Sequence, residues 1–365
     1  MADQRFSGIR INGLYKIFGS HPEDYIDAVK TGLSKTDLLN KHAHVLGLRD
    51  INLDIPSGCI QVIMGLSGSG KSTLIRHINR LIDPTAGEVL VDGVDIVKMN
   101  EQALREFRRQ QTAMVFQKFA LLPHRTVLEN TVYGLEIQGM PRSKSNDIAM
   151  RWLERVGLKG FEQRYPNQLS GGMQQRVGLA RALANDAPVL LMDEAYSALD
   201  PLIRVDMQSV LLDIQKEIKK TIVFITHDLD EALRLGDQIA ILRDGEIIQQ
   251  GSSQDIVLRP QDEYIANFVR EVNRGRVVQV DAVMTPFQLG HKVSGPTIAS
   301  GTSLEEAAQL LCRWPDGEVA VTGANGERLG LINLRRVVEA MVCFQNQPLN
   351  GLAGATPDSG AQAVS

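Results

Sequence analysis

Two glycine-rich turns in this sequence have the residues to bind phosphate groups. The first is GLSGSGKS (Gly65–Ser72), which matches the phosphate-loop pattern G-x-x-x-x-G-K-S and lies between an apolar run and the helical pattern TLIRHINRLI. Glycines let backbone N–H groups converge on phosphate oxygens, and the start of the following helix adds positive potential. We therefore predict a nucleotide site here. The alternative is a glycine-rich turn between strand and helix that binds no ligand.

Side chains in and just after this loop supply the specific contacts. Lys71 is expected to reach the β- and γ-phosphates, and the hydroxyl of Ser72 is expected to bind Mg²⁺. The predicted nucleotide-binding residues of this stretch are Gly65, Leu66, Ser67, Gly68, Ser69, Gly70, Lys71, Ser72 and Thr73.

A pair of carboxylates ends the apolar run PVLLMDE (Pro188–Glu194). Asp193 is placed to hold Mg²⁺, directly or through water, and Glu194 to orient and polarise an attacking water. A solvated loop or a helix cap is the alternative, and the phosphate loop elsewhere in the chain favours the catalytic interpretation. His227 ends another apolar run, ITHD, as a candidate contact to the γ-phosphate; for a lone histidine the alternative is a structural role.

The second glycine-rich turn, LSGGMQQR (Leu169–Arg176), also opens a helical pattern but has no lysine. With the other motifs in their order along the chain, it resembles the signature motif of the ATP-binding subunits of ABC transporters, over about residues 8–270. In that family two subunits face each other head to tail, and each ATP lies between one phosphate loop and the other subunit's signature turn. The resemblance implies that Ser170, Gly171 and Gly172 offer a hydroxyl, backbone amides and a helix N-terminus to the partner's ATP.

The same resemblance assigns further residues. Gln117 in MVFQ is similar to the Q-loop glutamine, Asp200 in SALD to the D-loop aspartate, and His227 to the switch histidine. Phe18 stands where the family stacks an aromatic ring on adenine; Tyr15 is a less suitable candidate, and either ring is equally suited to the core. The predicted catalytic residues are thus Glu194, His227, Gln117 and Lys71, and the predicted Mg²⁺ ligands are Ser72, Gln117 and Asp193.

One position departs from the family pattern. Where the family often has Pro-Phe after the catalytic glutamate, this chain has Ala195 and Tyr196. Loss of the proline frees a backbone torsion, and the tyrosine adds a hydroxyl. We expect a local effect on the rate rather than loss of catalysis.

Buried strands must position these motifs. The apolar runs IQVIMG, PVLLMDE and TIVFITHD suit strands buried on both faces of a parallel sheet. Asp-Gly within EVLVDGVDI and IAILRDGEIIQQG predicts two antiparallel hairpins. Residues 120–185 have mainly helical patterns. We predict an α/β fold over residues 1–272, a P-loop NTPase of the ABC ATPase type with a mixed sheet, an antiparallel β subdomain and a helical subdomain at about 120–185.

Residues 20–47 form an insert between the first two predicted strands. Its segment LSKTDLLNKHA suggests a short helix with Ser34 and Asp37 near its start, and a surface excursion without a role is the alternative. The insert, the phosphate-loop region and DEAYSALDPLIR resemble the glycine betaine, proline betaine and choline importer ATPases. An importer ATPase for another small solute, such as an amino acid or a polyamine, is the second hypothesis.

The pattern changes after about Arg274. Residues 302–341 are typical of helix, strand, Asn-Gly turn, strand and helix, with Thr302 or Ser303 as the first helix cap. Residues 276–345 thus resemble a CBS module, a small α+β domain for regulation or dimerisation. The small, polar residues 346–365 predict a disordered tail.

Composition restricts the class of protein. The net charge of −4 argues against a nucleic-acid partner, and the three cysteines lack the spacing of a metal site. The sequence has no run of eighteen apolar residues, so we expect no membrane-spanning helix. The resemblance implies ATP and Mg²⁺ as ligands. It also implies a second copy of the chain, integral membrane permease subunits and a substrate-binding protein as partners, at the cytoplasmic face of the cell (inner) membrane.

Overall fold

The computed structural model describes residues 8–287, 295–314 and 317–342. The chain divides into two compact units, Met1–Ser253 and Gln254–Ser365. The predicted tail, 346–365, lies outside the described residues.

The first unit contains ten strands and nine helices among its described residues. The strands are β1 (Ile9–Phe18), β2 (Val45–Ile55), β3 (Ile60–Met64), β4 (Ala86–Val91), β5 (Val94–Asp95), β6 (Thr112–Phe116), β7 (Val189–Asp193), β8 (Thr221–Thr226), β9 (Gln238–Arg243) and β10 (Glu246–Gly251). The helices are α1 (Ile26–Lys30), α2 (Lys35–His42), α3 (Lys71–Ile78), α4 (Glu101–Gln110), α5 (Val127–Ile137), α6 (Arg142–Arg155), α7 (Gly171–Ala184), α8 (Pro201–Ile218) and α9 (Leu229–Leu235). Short 3-10 turns occur at Pro22–Tyr25, Ile96–Lys98 and Pro166–Gln168.

A six-stranded sheet in the order β10-β9-β3-β8-β7-β6 forms the centre of this unit. The neighbours from β9 to β6 are parallel, and β10 is antiparallel to β9. Every residue of β3, β7 and β8 is buried, because both faces of these strands are covered. The predicted mixed sheet is confirmed. The carboxyl ends of β3, β8, β7 and β6 lie side by side, so the segments after them meet at one edge.

A second sheet, in the order β2-β1-β4-β5, is antiparallel throughout. The two Asp-Gly hairpins are confirmed as β4–β5 and β9–β10. Helices α5, α6 and α7 pack against one another and form the helical part that the sequence predicted at about 120–185.

The insert at residues 20–47 contributes to the core. Ser34 caps α2 by accepting a hydrogen bond from the amide of Asp37, as predicted. Its apolar side chains pack with those of β1 and β2 in one cluster: Tyr15, Ile17, Ile26, Val29, Leu38 and Leu46. The insert is therefore a packed element rather than a loose surface excursion.

Helix α10 (Ser253–Leu258) begins at the boundary of the units. The second unit continues with α11 (Glu263–Val269), α12 (Arg274–Val277), the 3-10 turn Val280–Ala282, β11 (Thr285–Pro286), β12 (Thr297–Ala299), α13 (Leu304–Leu311), β13 (Val319–Thr322), β14 (Arg328–Ile332) and α14 (Leu334–Val342). Its sheet has the order β11-β14-β13-β12. Of the two predicted caps, Ser303 caps α13.

The predicted boundary at residues 272–276 falls inside the second unit. Helix α12 packs against α13 and α14, which ties residues 274–277 to elements that follow much later in the chain. In the described part of the chain, no helix combines the length and apolarity that crossing a bilayer requires.

Candidate nucleotide site

The phosphate loop joins β3 to α3 in a backbone conformation that requires glycine. Gly65 and Gly70 have φ angles of 152° and 104°, which residues with a Cβ rarely adopt. A Cβ on Gly65 would collide with the carbonyl of Leu242, and one on Gly70 would lie 2.8 Å from the carbonyl oxygen of Gly47. Neighbouring backbone therefore closes around the loop, so these two positions exclude any side chain.

Lys71 begins α3 with its side chain inside the loop. Its Nζ donates hydrogen bonds to the carbonyl oxygens of Gly65 (2.8 Å) and Leu66 (3.0 Å) and lies 3.8 Å from Oε1 of Glu194. Burial lowers the pKa of Lys71, and the nearby charges of Glu194 and Asp193 act in the opposite direction. The ammonium group is thus held where the loop's amides would bind phosphate.

Asp193 at the end of β7 contacts α3 through both carboxylate oxygens. Ser72 Oγ donates to Oδ1 at 2.8 Å, and Arg76 Nη2 lies 3.4 Å from Oδ2. A hydroxyl and a carboxylate side by side are the hard oxygen donors that Mg²⁺ prefers, usually together with substrate phosphates. The described residues contain no group of three or more His, Cys, Asp or Glu that could hold a metal alone. The residues present fit Mg²⁺ bound together with a nucleotide.

Glu194 is the centre of a second cluster. Its φ angle is 46°, a left-handed conformation that turns the chain sharply after the strand. Gln117 Nε2 donates to Glu194 Oε2 at 3.1 Å and lies 3.3 Å from Ser197 Oγ. Ser197 Oγ donates to the Glu194 carbonyl, and His227 Nδ1 lies 3.8 Å from Oε2. With Lys71 adjacent, the structure brings all four predicted catalytic residues together.

The signature turn lies elsewhere in the unit. Ser170 caps α7 by accepting a hydrogen bond from the amide of Met173. A Cβ on Gly171 would lie 3.7 Å from the ring of Phe119, and one on Gly172 would lie 2.7 Å from Ile203. These neighbours belong to the segment after β6 and to the start of α8, not to the phosphate loop. The atoms nearest to the Cβ positions of these two glycines therefore come from segments other than the phosphate loop.

The remaining residues predicted to contact nucleotide, Asp200 and Phe18, lie at the ends of a helix and a strand. Asp200 caps α8 by accepting a hydrogen bond from the amide of Ile203. Phe18 ends β1 with 40% of its surface exposed, whereas Tyr15 is buried in the insert's apolar cluster. Lys16 Nζ lies 5.1 Å from the centre of the Phe18 ring. Of the two aromatic candidates, Phe18 is the one with a ring available to a ligand.

Sequence reasoning missed Arg76 and the hydroxyl of Ser197. Arg76 follows Ser72 by one helical turn, so helix periodicity from the phosphate loop would have placed it on the same face.

The departure from the family pattern at Tyr196 has a structural basis. The side chain is fully buried, its hydroxyl donates to the Met207 carbonyl at 3.5 Å, and its ring centre lies 5.5 Å from that of Phe224. Burial raises the pKa of this phenol, which therefore stays neutral.

Comparisons with known proteins found a matching family model, similar sequences and similar structures. The family model described as ABC transporter matches residues 48–197. The glycine betaine transport ATP-binding protein OpuAA of Bacillus subtilis (strain 168) is 50% identical over 297 residues, which cover 81% of this chain and 71% of that protein. ProV of Escherichia coli (strain K12), a glycine betaine/proline betaine transport system ATP-binding protein, is 50% identical over 289 residues. These residues cover 79% of this chain and 72% of that protein.

A solved structure shows the same similarity in three dimensions. It is the dimeric, post-hydrolysis structure of the ATP-binding cassette MJ0796 bound to ADP and Pi. It matches with a TM-score of 0.58 at 32% sequence identity, over 67% of this chain and 98% of that chain.

Proposed function

Because this chain belongs to the ATP-binding subunits of ABC transporters, we propose that it powers an importer for quaternary amine osmolytes such as glycine betaine, proline betaine and choline. The resemblance inferred from the motifs is confirmed, and the chain is an ATPase of that family. The observation that carries the choice of solute is 50% identity, over 81% of the chain, to a protein named for glycine betaine transport.

The arrangement of side chains supports hydrolysis of ATP by an activated water. Loop amides and Lys71 bind and orient the phosphates. Glu194 accepts a proton from the attacking water. At the same time the water oxygen bonds to the γ-phosphorus, and the bond between that phosphorus and the β–γ bridging oxygen breaks. Gln117 orients the Glu194 carboxylate, and His227 is within reach of the transferred phosphate. Ser72, Asp193 and Gln117 would hold Mg²⁺, which when bound neutralises charge on the β- and γ-phosphates.

A second copy of the chain completes the site. The nearest neighbours of the Cβ positions on Gly171 and Gly172 are Phe119 and Ile203. With Ser170, these residues offer a hydroxyl and amides that suit a weaker clamp on a γ-phosphate held by the partner. The dimeric form of the similar cassette MJ0796 supports this arrangement. ATP then favours the closed dimer, and hydrolysis removes the ligand that the clamp holds. Asp200 caps the start of α8, whose Ile203 is the neighbour of the Cβ position of Gly172.

The permease is proposed to dock on the helical part of the unit. A cavity of about 800 Å³ lies between α6 and the carboxyl ends of α5 and α7. Its apolar lining includes Met140, Ile148 and Trp152, and its cations include Lys144 and Arg151. A lining that combines apolar side chains with an excess of cations over its one acid, Asp186, fits a short amphipathic, acidic helix from a membrane subunit at the cytoplasmic face of the inner membrane. The substrate-binding protein acts through the assembled complex.

Solute-specific stimulation of ATP hydrolysis tests this function. In vesicles with the cognate permease and binding protein, glycine betaine is expected to raise the ATPase rate severalfold, whereas an amino acid or a polyamine leaves it near the basal rate. The reason is that loaded binding protein favours the closed dimer through the permease. Phosphate release per mole of complex is the measurement. Stimulation by an amino acid or polyamine instead would support the second hypothesis and contradict the first.

The chain's two tryptophans provide a matched pair of variants for the same assay. Trp152→Ala removes a wall of the cavity and is expected to abolish solute stimulation while the basal ATPase of the isolated chain persists. Trp314→Ala, at an exposed position in the second unit, is the control and should behave like the parent. Equal stimulation in both variants would place the permease elsewhere.

The second unit is proposed to be a CBS-like regulatory or dimerisation domain. A chain truncated after Asn273, which removes the sheet β11–β14 and the helices α12, α13 and α14, is expected to transport solute without the parent's response to ionic strength. Uptake into vesicles over a salt series measures this, with basal ATPase as the folding control. An unchanged salt response contradicts the sensor role, and a loss of dimer on a sizing column would assign dimerisation instead.

A further inference from the structure

Arg49 lies in β2, just after the insert at residues 20–47, and its side chain contacts two other segments. Its Nη2 donates to the carbonyl of Leu33, in the turn between α1 and α2, at 2.7 Å. Its Nη1 lies 3.2 Å from Oε1 of Glu246, the first residue of β10. A guanidinium fork can bind two acceptors at once, which a single ammonium group cannot do as well. Arg49 therefore joins the insert to the β9–β10 hairpin.

The turn of this hairpin is held on both sides of one glycine, Gly245. Asp244 and Gly245 have φ angles of 52° and 88°, the left-handed pair that a tight hairpin turn needs. Lys35, the first residue of α2, places Nζ 3.4 Å from Oδ1 of Asp244, but this pair is exposed and contributes little. Arg49 holds the other side through Glu246, and its backbone N–H also donates to the Gly245 carbonyl at 2.8 Å. The position of the turn thus depends mainly on Arg49.

The same glycine contacts the phosphate loop. The N–H of Gly245 donates to the carbonyl of Ser69 at 3.0 Å. This carbonyl and the N–H of Gly70 belong to one peptide group, and in a trans peptide the two bonds point in opposite directions. Because the hairpin holds the carbonyl, the N–H of Gly70 is aimed away from Gly245. Gly70 directly precedes α3, so its N–H is one of the amides at the helix start that suit a phosphate group.

We propose that Arg49 is a positioning residue for the phosphate loop and that the insert acts through it as a brace. Held by the Leu33 carbonyl, the guanidinium keeps the hairpin turn against Ser69, so the peptide between Ser69 and Gly70 is oriented before nucleotide binds. An amide oriented in advance has less freedom to lose on binding, and the brace therefore raises the affinity for the phosphate chain. The inference rests on the proposed nucleotide site and gives residues 20–47 a role in it.

The test compares the nucleotide affinity of full-length chains. Arg49→Met is expected to raise the Kd of ATP and of ADP alike by about tenfold, the effect of losing one charge-assisted hydrogen bond. Turnover at saturating ATP is expected to stay within about twofold of the parent's, because Glu194 keeps its contact to Gln117. Titration with fluorescent analogues of both nucleotides and steady-state phosphate release are the measurements. Arg10→Met, which breaks an exposed pair with Asp54 in the antiparallel sheet, is the control and should match the parent.

Two further variants separate the insert from the hairpin. Arg49→Lys keeps a cation for Glu246 but lacks the fork that also reaches Leu33, so its Kd is expected to rise by about threefold. Glu246→Gln weakens the same contact from the other partner, and adding it to Arg49→Met is expected to change the affinity little further. Affinity equal to the parent's in Arg49→Lys would overturn the role of the insert. Additive effects in the double variant would overturn the role of the contact with Glu246.

Amide hydrogen exchange in the nucleotide-free chains gives a readout that does not depend on activity. The peptide that contains Gly245 is expected to exchange faster in Arg49→Met than in the parent or in Arg10→Met, because the N–H of Gly245 is held less firmly against the Ser69 carbonyl. Unchanged exchange, or an equal fall in turnover and affinity, would overturn the proposal. If Arg49→Met does not fold by circular dichroism, Glu246→Gln alone carries the same test. Failure of the parent chain to bind ATP would instead contradict the proposed nucleotide site.

Discussion

Replacing Glu194 with Gln is expected to lower ATP turnover by about 10²–10⁴-fold while ATP binding is preserved. The amide has the same size and can keep the contact to Gln117, whose Nε2 lies 3.1 Å from Oε2 of Glu194. It cannot accept a proton from water, because the amide oxygen is far less basic than a carboxylate. Binding is expected to persist because the loop amides, Lys71 and Ser72 are unchanged.

Two measurements on one preparation check this result. Steady-state phosphate release gives the turnover, and titration with a fluorescent ATP analogue gives the affinity. A sizing column run with ATP should show the variant trapped as a dimer. Glu217→Gln is the matched control, because this glutamate is exposed near the end of α8, where it pairs with Arg155. Near-normal turnover in Glu194→Gln would mean that another group activates the water.

Local patterns explain why much of this fold could be predicted. The buried apolar runs became β3, β7 and β8, and both Asp-Gly hairpins formed, because strand burial and turn chemistry depend on residues close together in the sequence. The caps at Ser34 and Ser303 follow the same rule. The phosphate loop was predictable because only glycine tolerates its φ angles and its close backbone neighbours.

Contacts between distant segments could not be predicted from local sequence patterns. Gln117 meets Glu194 across 77 residues, and Arg181 meets Phe119 across 62, so only the order of strands in the sheet and the packing of α7 bring these groups together. The left-handed turn at Phe119 and Ala120 contains no glycine at these positions, so the sequence did not predict it. The predicted boundary at residues 272–276 falls inside the second unit for a related reason, since the partners of α12 lie about thirty or more residues further along the chain.

Among substitutions in the signature turn, Gly171→Asp is expected to lower the rate of ATP hydrolysis most. A Cβ at Gly172 would meet Ile203 at 2.7 Å and disturb the monomer, whereas one at Gly171 would lie 3.7 Å from Phe119, an ordinary contact. Ser170→Ala also removes a helix cap, at a cost of about 1 kcal/mol. Gly171→Asp therefore leaves the chain's own site intact and places a negative charge where the partner's γ-phosphate would bind. We expect hydrolysis to fall about 10²–10³-fold with nucleotide affinity of the monomer unchanged.

Mixing two inactive chains gives the decisive form of this test. In a mixed dimer of Gly171→Asp and Glu194→Gln chains, one site combines an intact Glu194 with an intact Gly171, and the other site contains both lesions. Random pairing makes about half of the dimers mixed, each with one of two sites intact, so turnover should recover towards about a quarter of the parent rate. Phosphate release is measured over a series of mixing ratios, with each variant alone as the baseline. If every mixture stays at that baseline, or if Gly171→Asp alone abolishes ATP binding by the monomer, the signature turn does not act on the partner's nucleotide.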